Sequence, residues 1–243
     1  VLNCAGQSLL GSDPAETGEY RREEVQRRIW PSAGVISLIY VSDQIRRKGP
    51  LTPAVEGAHA ARVLRNVMKP RYPMLVFCNT RAVDELGGIS MLRSTWDDAR
   101  ILNTSAHLYA HNLSDAHAVS KLLSPMSRAG AMVLKLYAYL QSPFDRSLFL
   151  DTDVFVLQPS LVDSLLLHTL ELADLAAPVD PAHTTPPATH APLLCMGLAA
   201  FRSNDVTRRL FAKAVVRMGK RHETQRTAAG GFARNSDQEA IYE

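Results

Sequence analysis

Apolar and polar positions switch between two periods along this chain. Gly34-Val35-Ile36-Ser37-Leu38-Ile39-Tyr40-Val41 is an almost unbroken apolar run, rich in β-branched residues and bounded by Pro31 and Ser42-Asp43. Such a run predicts a strand buried on both faces, as in a parallel sheet. Residues 54 to 68 instead set Val55, Ala58, Ala61, Val63, Leu64 and Val67 at helical spacing, with Pro70 closing the helix. Tyr72 to Cys78 is a second buried run. Strand, helix and strand thus follow one another as a βαβ unit.

The pattern continues. Residues 81 to 98 predict a helix and Ala99 to Leu102 a short strand, whereas the polar, His- and Ser-rich residues 103 to 127 show no clear period. A helix is expected from Arg128 to Leu140, broken by Pro143, then a strand through Leu148 to Val156. Asp163 to Glu171 reads as helix and Ala173 to Val179 as strand. Pro181 to Pro192, with four prolines, reads as a loop. Gly197 to Arg202 reads as strand and residues 205 to 218 as an amphipathic helix. Residues 1 to 30 read as a polar lead-in, with Glu19 to Arg28 a solvated helix of mixed charges. Residues 31 to 243 then form one α/β domain, an open, mostly parallel sheet flanked by helices and built like a Rossmann nucleotide-binding unit.

Composition narrows the function classes. With 243 residues, 46% of them hydrophobic and 21% charged, the chain can bury a sizeable core. A net charge of +3 without any basic stripe gives no support for nucleic acid as a partner, but suits an anionic ligand. Cys4, Cys78 and Cys195 lie far apart and form no CxxC pair, which argues against a zinc or redox motif. No apolar run reaches the roughly 20 residues of a membrane span. The chain begins at Val1, so a fragment or processed form is expected, with any anchor lying upstream. Asn103-Thr104-Ser105 and Asn112-Leu113-Ser114 fit the N-glycosylation pattern.

The chemistry concentrates in Leu148-Phe149-Leu150-Asp151-Thr152-Asp153-Val154-Phe155-Val156. Two carboxylates interrupt an apolar strand, where ionised groups are costly unless paired or bound to a cation. Strand alternation would set Asp151 and Asp153 on one face, roughly 6–7 Å apart at Cα, within reach of one hard cation such as Mg²⁺ or Mn²⁺. The bland reading is a strand end whose carboxylates cap a turn or pair with Arg146.

The run from Lys135-Leu136-Tyr137-Ala138 through Ser142-Pro143-Phe144-Asp145-Arg146 to Asp151-Thr152-Asp153 resembles the metal-dependent glycosyltransferases of the GT-A fold. Gly197-Leu198-Ala199-Ala200-Phe201-Arg202-Ser203 is similar to their Asn-Thr-Gly-Val strand, and Asp237-Gln238-Glu239-Ala240 to a downstream helix start. The resemblance implies transfer of a sugar from a nucleotide-sugar donor, most readily a UDP-sugar, to a hydroxyl acceptor on a glycan, a protein or a small molecule. It implies that Asp151 and Asp153 hold Mn²⁺ or Mg²⁺ and that Tyr40 and Val41 lie near the nucleobase. Lys135 and Arg128 would offer positive charge to the diphosphate. Gly197 would let sugar or acceptor approach the backbone, and Asp237 would orient or deprotonate the acceptor. By the same analogy a Golgi lumenal location is expected, with the cytoplasm the alternative.

The chain also departs from that pattern. Cys195-Met196 stand where relatives carry Asn-Thr, and the third metal ligand that relatives often place after the downstream helix start has no counterpart before Glu243; His183 and His190 are substitutes of low weight. These departures give weight to an alternative, a non-catalytic glycosyltransferase-like module that binds or takes part in a larger assembly. A haloacid dehalogenase-type phosphatase also uses Asp-x-Asp after an aliphatic strand. It wants Thr or Val where this chain has Phe155, and its motif opens the domain.

Overall fold

The computed structural model describes residues 32–41, 53–68, 72–102, 119, 123, 128–178 and 195–227, without the side chains of residues 53, 54, 68, 128, 129 and 221–227. The lead-in, nearly all of residues 103–127, the proline-rich loop with His183 and His190, and Asp237 lie outside the described residues.

All seven residues of β1 (Ala33–Ile39) and all five of β2 (Met74–Cys78) are buried, so both strands read as continuous apolar runs. Helix α1 (Pro53–Met68) connects them. After β2 come the short helices α2 (Thr80–Glu85) and α3 (Ile89–Arg93), then β3 (Asp98–Ile101). The single helix expected over 81–98 is therefore two. Gly87 and Gly88 adopt φ of 75° and 127°, values only glycine takes readily, and they end the first helix.

Helix α4 (Arg128–Leu140) leads into β4 (Arg146–Leu150). This strand starts earlier than the apolar pattern indicates and stops before Asp151, because the chain turns at once: Val154 N–H donates to the Asp151 carbonyl. Helix α5 (Pro159–Asp163) begins with proline in its first turn, widens into a π-helical segment (Ser164–Thr169), and closes with α6 (Leu170–Leu172). The strand expected over 173–179 is reduced to β5 (Leu175–Ala176), whereas β6 (Leu198–Arg202) matches its apolar run. Helix α7 (Asp205–Thr227) outlasts the amphipathic stretch that announces it.

The six strands are ordered β3-β2-β1-β4-β6-β5. Strands β1 to β4 are mutually parallel; β6 runs antiparallel to β4. The chain builds outward from β1 through β2 to β3, then crosses to the other side of β1 for β4. The β1/β4 boundary is the topological switch point, where open α/β sheets bind ligands beyond their carboxyl ends. Two cores sandwich the sheet. Ile36, Leu38, Phe77, Phe149 and Phe201 face α4 and α7. Val35, Ile39, Val76, Leu148 and Leu150 face α1 and the α5 region. Among the described residues no helix is long and apolar enough to cross a membrane.

Candidate active site

The last residues of β1 and β4 are fixed by side chains that replace missing strand pairing. Register places Ile36 opposite Phe149. One step on, the buried Ser37 hydroxyl donates to the Leu150 carbonyl at 2.7 Å, tying the final residue of β4 to β1. Beyond β1, Asn79 takes both backbone groups of Val41: its Oδ1 accepts from Val41 N–H at 3.2 Å and its Nδ2 donates to the Val41 carbonyl at 2.9 Å. The same Oδ1 accepts from Ala82 N–H, capping α2. Asn79 thus anchors Tyr40-Val41 at the sheet edge. Its sequence signal is a capping residue standing directly after an apolar strand.

At the end of β4, Asp151 N–H donates to the Gly197 carbonyl at 2.8 Å, so the Asp-x-Asp turn is joined to the turn that precedes β6. Lys135 Nζ donates to Asp151 Oδ2 at 2.8 Å and stands 5.4 Å from the centre of the Phe149 ring. Lys135 is only 8% exposed. An ammonium at that depth needs a counter-charge, and Asp151 supplies it. Gly197 completes the arrangement. A Cβ there would stand 2.7 Å from Asp151 Oδ2, closer than carbon and oxygen tolerate, so the space over Gly197 is occupied by the carboxylate.

One helical turn beyond Lys135, on the same face of α4, Tyr139 donates its hydroxyl to the Met196 carbonyl at 2.8 Å. Its ring packs 4.8 Å from Phe149, 5.1 Å from Phe201 and 5.0 Å from Phe211, centre to centre. Lys135 and Tyr139 together hold the two turns that meet at the sheet edge. The fit of Tyr139 was not read from sequence, although its spacing of four from Lys135 was the available signal.

The residues singled out by sequence divide as follows. Lys135, Asp151 and Gly197 are in direct juxtaposition, and Tyr40 and Val41 follow directly on β1, the strand adjacent to β4. Asp153 is exposed in the turn two residues on. Because β4 stops at Leu150, strand alternation does not set the relation between the two carboxylates; the turn does. Arg128 opens α4, two turns before Lys135. Arg146 is remote, since it begins β4 and donates to the Leu166 and Leu167 carbonyls of the π-helical segment at 3.2 and 3.3 Å. It is thus no partner for the carboxylates. A cleft of about 540 Å³ lined by Ser32, Asp145, Arg146, Arg202 and Asn204 lies at that opposite sheet edge, away from Asp151.

For a hard divalent cation the donor chemistry is right, two carboxylates at the head of a turn. One carboxylate oxygen already faces an ammonium, and among the described residues no group of three His, Cys, Asp or Glu side chains gathers.

No protein-family model matches the sequence, and no curated protein is similar to it in sequence. Solved structures do match. The chain is similar to mouse xyloside xylosyltransferase 1 in its apo form, with 13% identity, a TM-score of 0.49 and coverage of 86% of this chain and 80% of that one. It is also similar to an active-site mutant of LgtC, with 15% identity, a TM-score of 0.51 and coverage of 86% and 70%. The second likeness, together with the strand order, shows that this chain has the α/β fold of the GT-A glycosyltransferases.

Proposed function

We propose that the chain binds a nucleotide-sugar at the carboxyl edge of β1 and β4 and transfers the sugar to a hydroxyl acceptor. The observation that carries this reading is the joined Lys135–Asp151–Gly197 cluster at the switch point of a GT-A-like sheet. The nucleobase would lie against Tyr40 and Val41, with the diphosphate reaching Asp151 and Asp153. A divalent cation bound there would neutralise charge developing on the leaving diphosphate. Lys135, and Arg128 at the start of α4, would add positive charge. In the reaction the anomeric carbon–phosphate oxygen bond breaks and a bond to the acceptor oxygen forms. The acceptor proton passes to a base, for which Asp237 is the candidate. A UDP-sugar is the proposed donor.

The test is release of nucleoside diphosphate from UDP-, GDP- and ADP-sugars in the presence of Mn²⁺. One donor should be consumed by the wild type and left intact by the Asp151→Ala/Asp153→Ala protein. Equal turnover by both proteins would remove the two carboxylates from the reaction. No turnover of any donor, with the nucleotide still bound, would favour the binding-module alternative, to which Cys195-Met196 already give weight.

A further inference from the structure

We propose that the cleft at the sheet edge opposite Asp151 is a second binding site, for the phosphate group of a small hydroxylated molecule, with Arg202 and Arg146 as its cations. The proposal is independent of the reading of the carboxyl edge as a nucleotide-sugar site.

It starts from the sheet register. Arg146, the first residue of β4, stands directly opposite Arg202, the last residue of β6. Opposed residues on paired strands share a sheet face, with Cβ atoms about 4.5–5.5 Å apart, and like charges in that relation are destabilising. Groups of the chain offset this in part. Arg146 is half-buried and donates to the Leu166 and Leu167 carbonyls. The guanidinium of the half-buried Arg202 has no hydrogen bond or ion pair among the described residues. Neighbouring carboxylates do not supply one. Asp174 Oδ1 accepts from Asn204 Nδ2 at 2.6 Å, and the exposed Asp145 forms no ion pair with either arginine among the described residues.

Both arginines line the cleft of about 540 Å³, within the roughly 300–1,000 Å³ typical of ligand pockets. Ser203 lines it too, and its hydroxyl is buried with no hydrogen-bond partner. Folded proteins rarely leave such a group unsatisfied. A guanidinium without a partner, a second one opposite it and an unsatisfied hydroxyl therefore gather in one concavity. A phosphate accepts from all three, and the arginine fork matches two of its oxygens at once. The cleft has room for more than one phosphate group. Asp145 is acceptor-only when ionised, so it suits hydroxyl donors on the rest of the ligand and disfavours a second phosphate there.

The experiment is calorimetric titration of glucose 6-phosphate, inorganic phosphate and glucose into the wild type, Arg202→Met, Arg202→Lys and Lys213→Met, with Tm recorded for each protein. The wild type should bind glucose 6-phosphate, bind inorganic phosphate more weakly, and give no heat with glucose. Arg202→Met should lose at least about tenfold in affinity, the size of a hydrogen bond to a charged group. Arg202→Lys keeps the charge without the fork and should also weaken binding, a loss that removal of charge alone would not produce. Lys213 is an exposed lysine of α7, and Lys213→Met should bind as the wild type does. Should Arg202→Met fail to fold, Arg202→Lys decides. A wild type that binds neither phosphate overturns the proposal. So does undiminished binding by the Arg202 variants, or an equal loss in Lys213→Met, which would mean that phosphate responds to net charge. Inorganic phosphate bound as tightly as glucose 6-phosphate would overturn the assignment to a hydroxylated ligand.

Discussion

A methyl group at position 197 would stand 2.7 Å from Asp151 Oδ2. The carboxylate is the end of a side chain and can swing away, so Gly197→Ala should cost about 1 kcal/mol of stability, the low end of overpacking. It should cost far more in function, because the swing breaks the contact with Lys135. Nucleotide affinity is expected to fall by at least about tenfold. Near-normal affinity with an unchanged Tm would show that the carboxylate's position is unimportant. Cys78 makes a different residue-scale statement. Burial pushes its thiol up from 9.0 to about 12, and the thiol donates to the Arg100 carbonyl. The unfolded chain therefore loses this proton more readily than the folded one. Stability from this group is fully present below pH 9 and is lost as pH rises towards 12, at about 1.4 kcal/mol per pH unit. Denaturant unfolding at pH 8 to 10.5 should show a shallower alkaline loss in Cys78→Ala than in the wild type. Parallel curves would mean that the thiol ionises freely in the fold. At this scale the sequence made Asp151, Lys135 and Gly197 visible through motif and spacing. It could not show that the glycine accommodates a carboxylate, because that contact depends on two turns meeting in space.

Helix α4 is the element that organises the site. Its Lys135/Tyr139 stripe reaches Asp151 and Met196, and its remaining apolar face lies in the core. Tyr139→Phe keeps the ring among Phe149, Phe201 and Phe211 and removes the hydroxyl that donates to the Met196 carbonyl. It should cost about 1–2 kcal/mol, the range for a buried acceptor left without its donor. For a chain of this size each kcal/mol lowers Tm by about 2–4 °C, and nucleotide affinity should fall with it as the Gly197 turn loosens. The other end of β4 offers the control. Arg146→Met removes the bonds to Leu166 and Leu167 and should also cost about 1–2 kcal/mol, yet leave nucleotide affinity unchanged. An affinity loss in Arg146→Met equal to that in Tyr139→Phe would mean that both changes act through global stability. Elements were legible where one period dominates: β1, β2, α1, α4 and β6. They were misjudged where backbone chemistry overrides periodicity, at the Gly87-Gly88 break and where β4 gives way to the turn at Asp151. A π-helical segment has no apolar period of its own, so Ser164–Thr169 read simply as helix.

On the scale of the whole molecule, the alternation of strands and helices pointed to a parallel-rich α/β sheet, and the order β3-β2-β1-β4-β6-β5 bears that out. What periodicity could not supply was the order itself or the reversal of β6. Both matter to function, since the crossing from β3 to β4 creates the switch point and the reversal brings the Gly197 turn to the same edge as Asp151. The central claim is that this edge binds a nucleotide through Asp151 and Asp153. Its most direct test is the thermal unfolding of the wild type and of Asp151→Ala/Asp153→Ala with UDP, GDP or ADP, each with and without Mn²⁺. A nucleotide at 100 times its Kd stabilises the fold by about 2.7 kcal/mol, a rise of several degrees in Tm. The account predicts that rise for one nucleotide, largest with Mn²⁺ and absent from the double variant. An unshifted wild type, or an equal shift in both proteins, would contradict it.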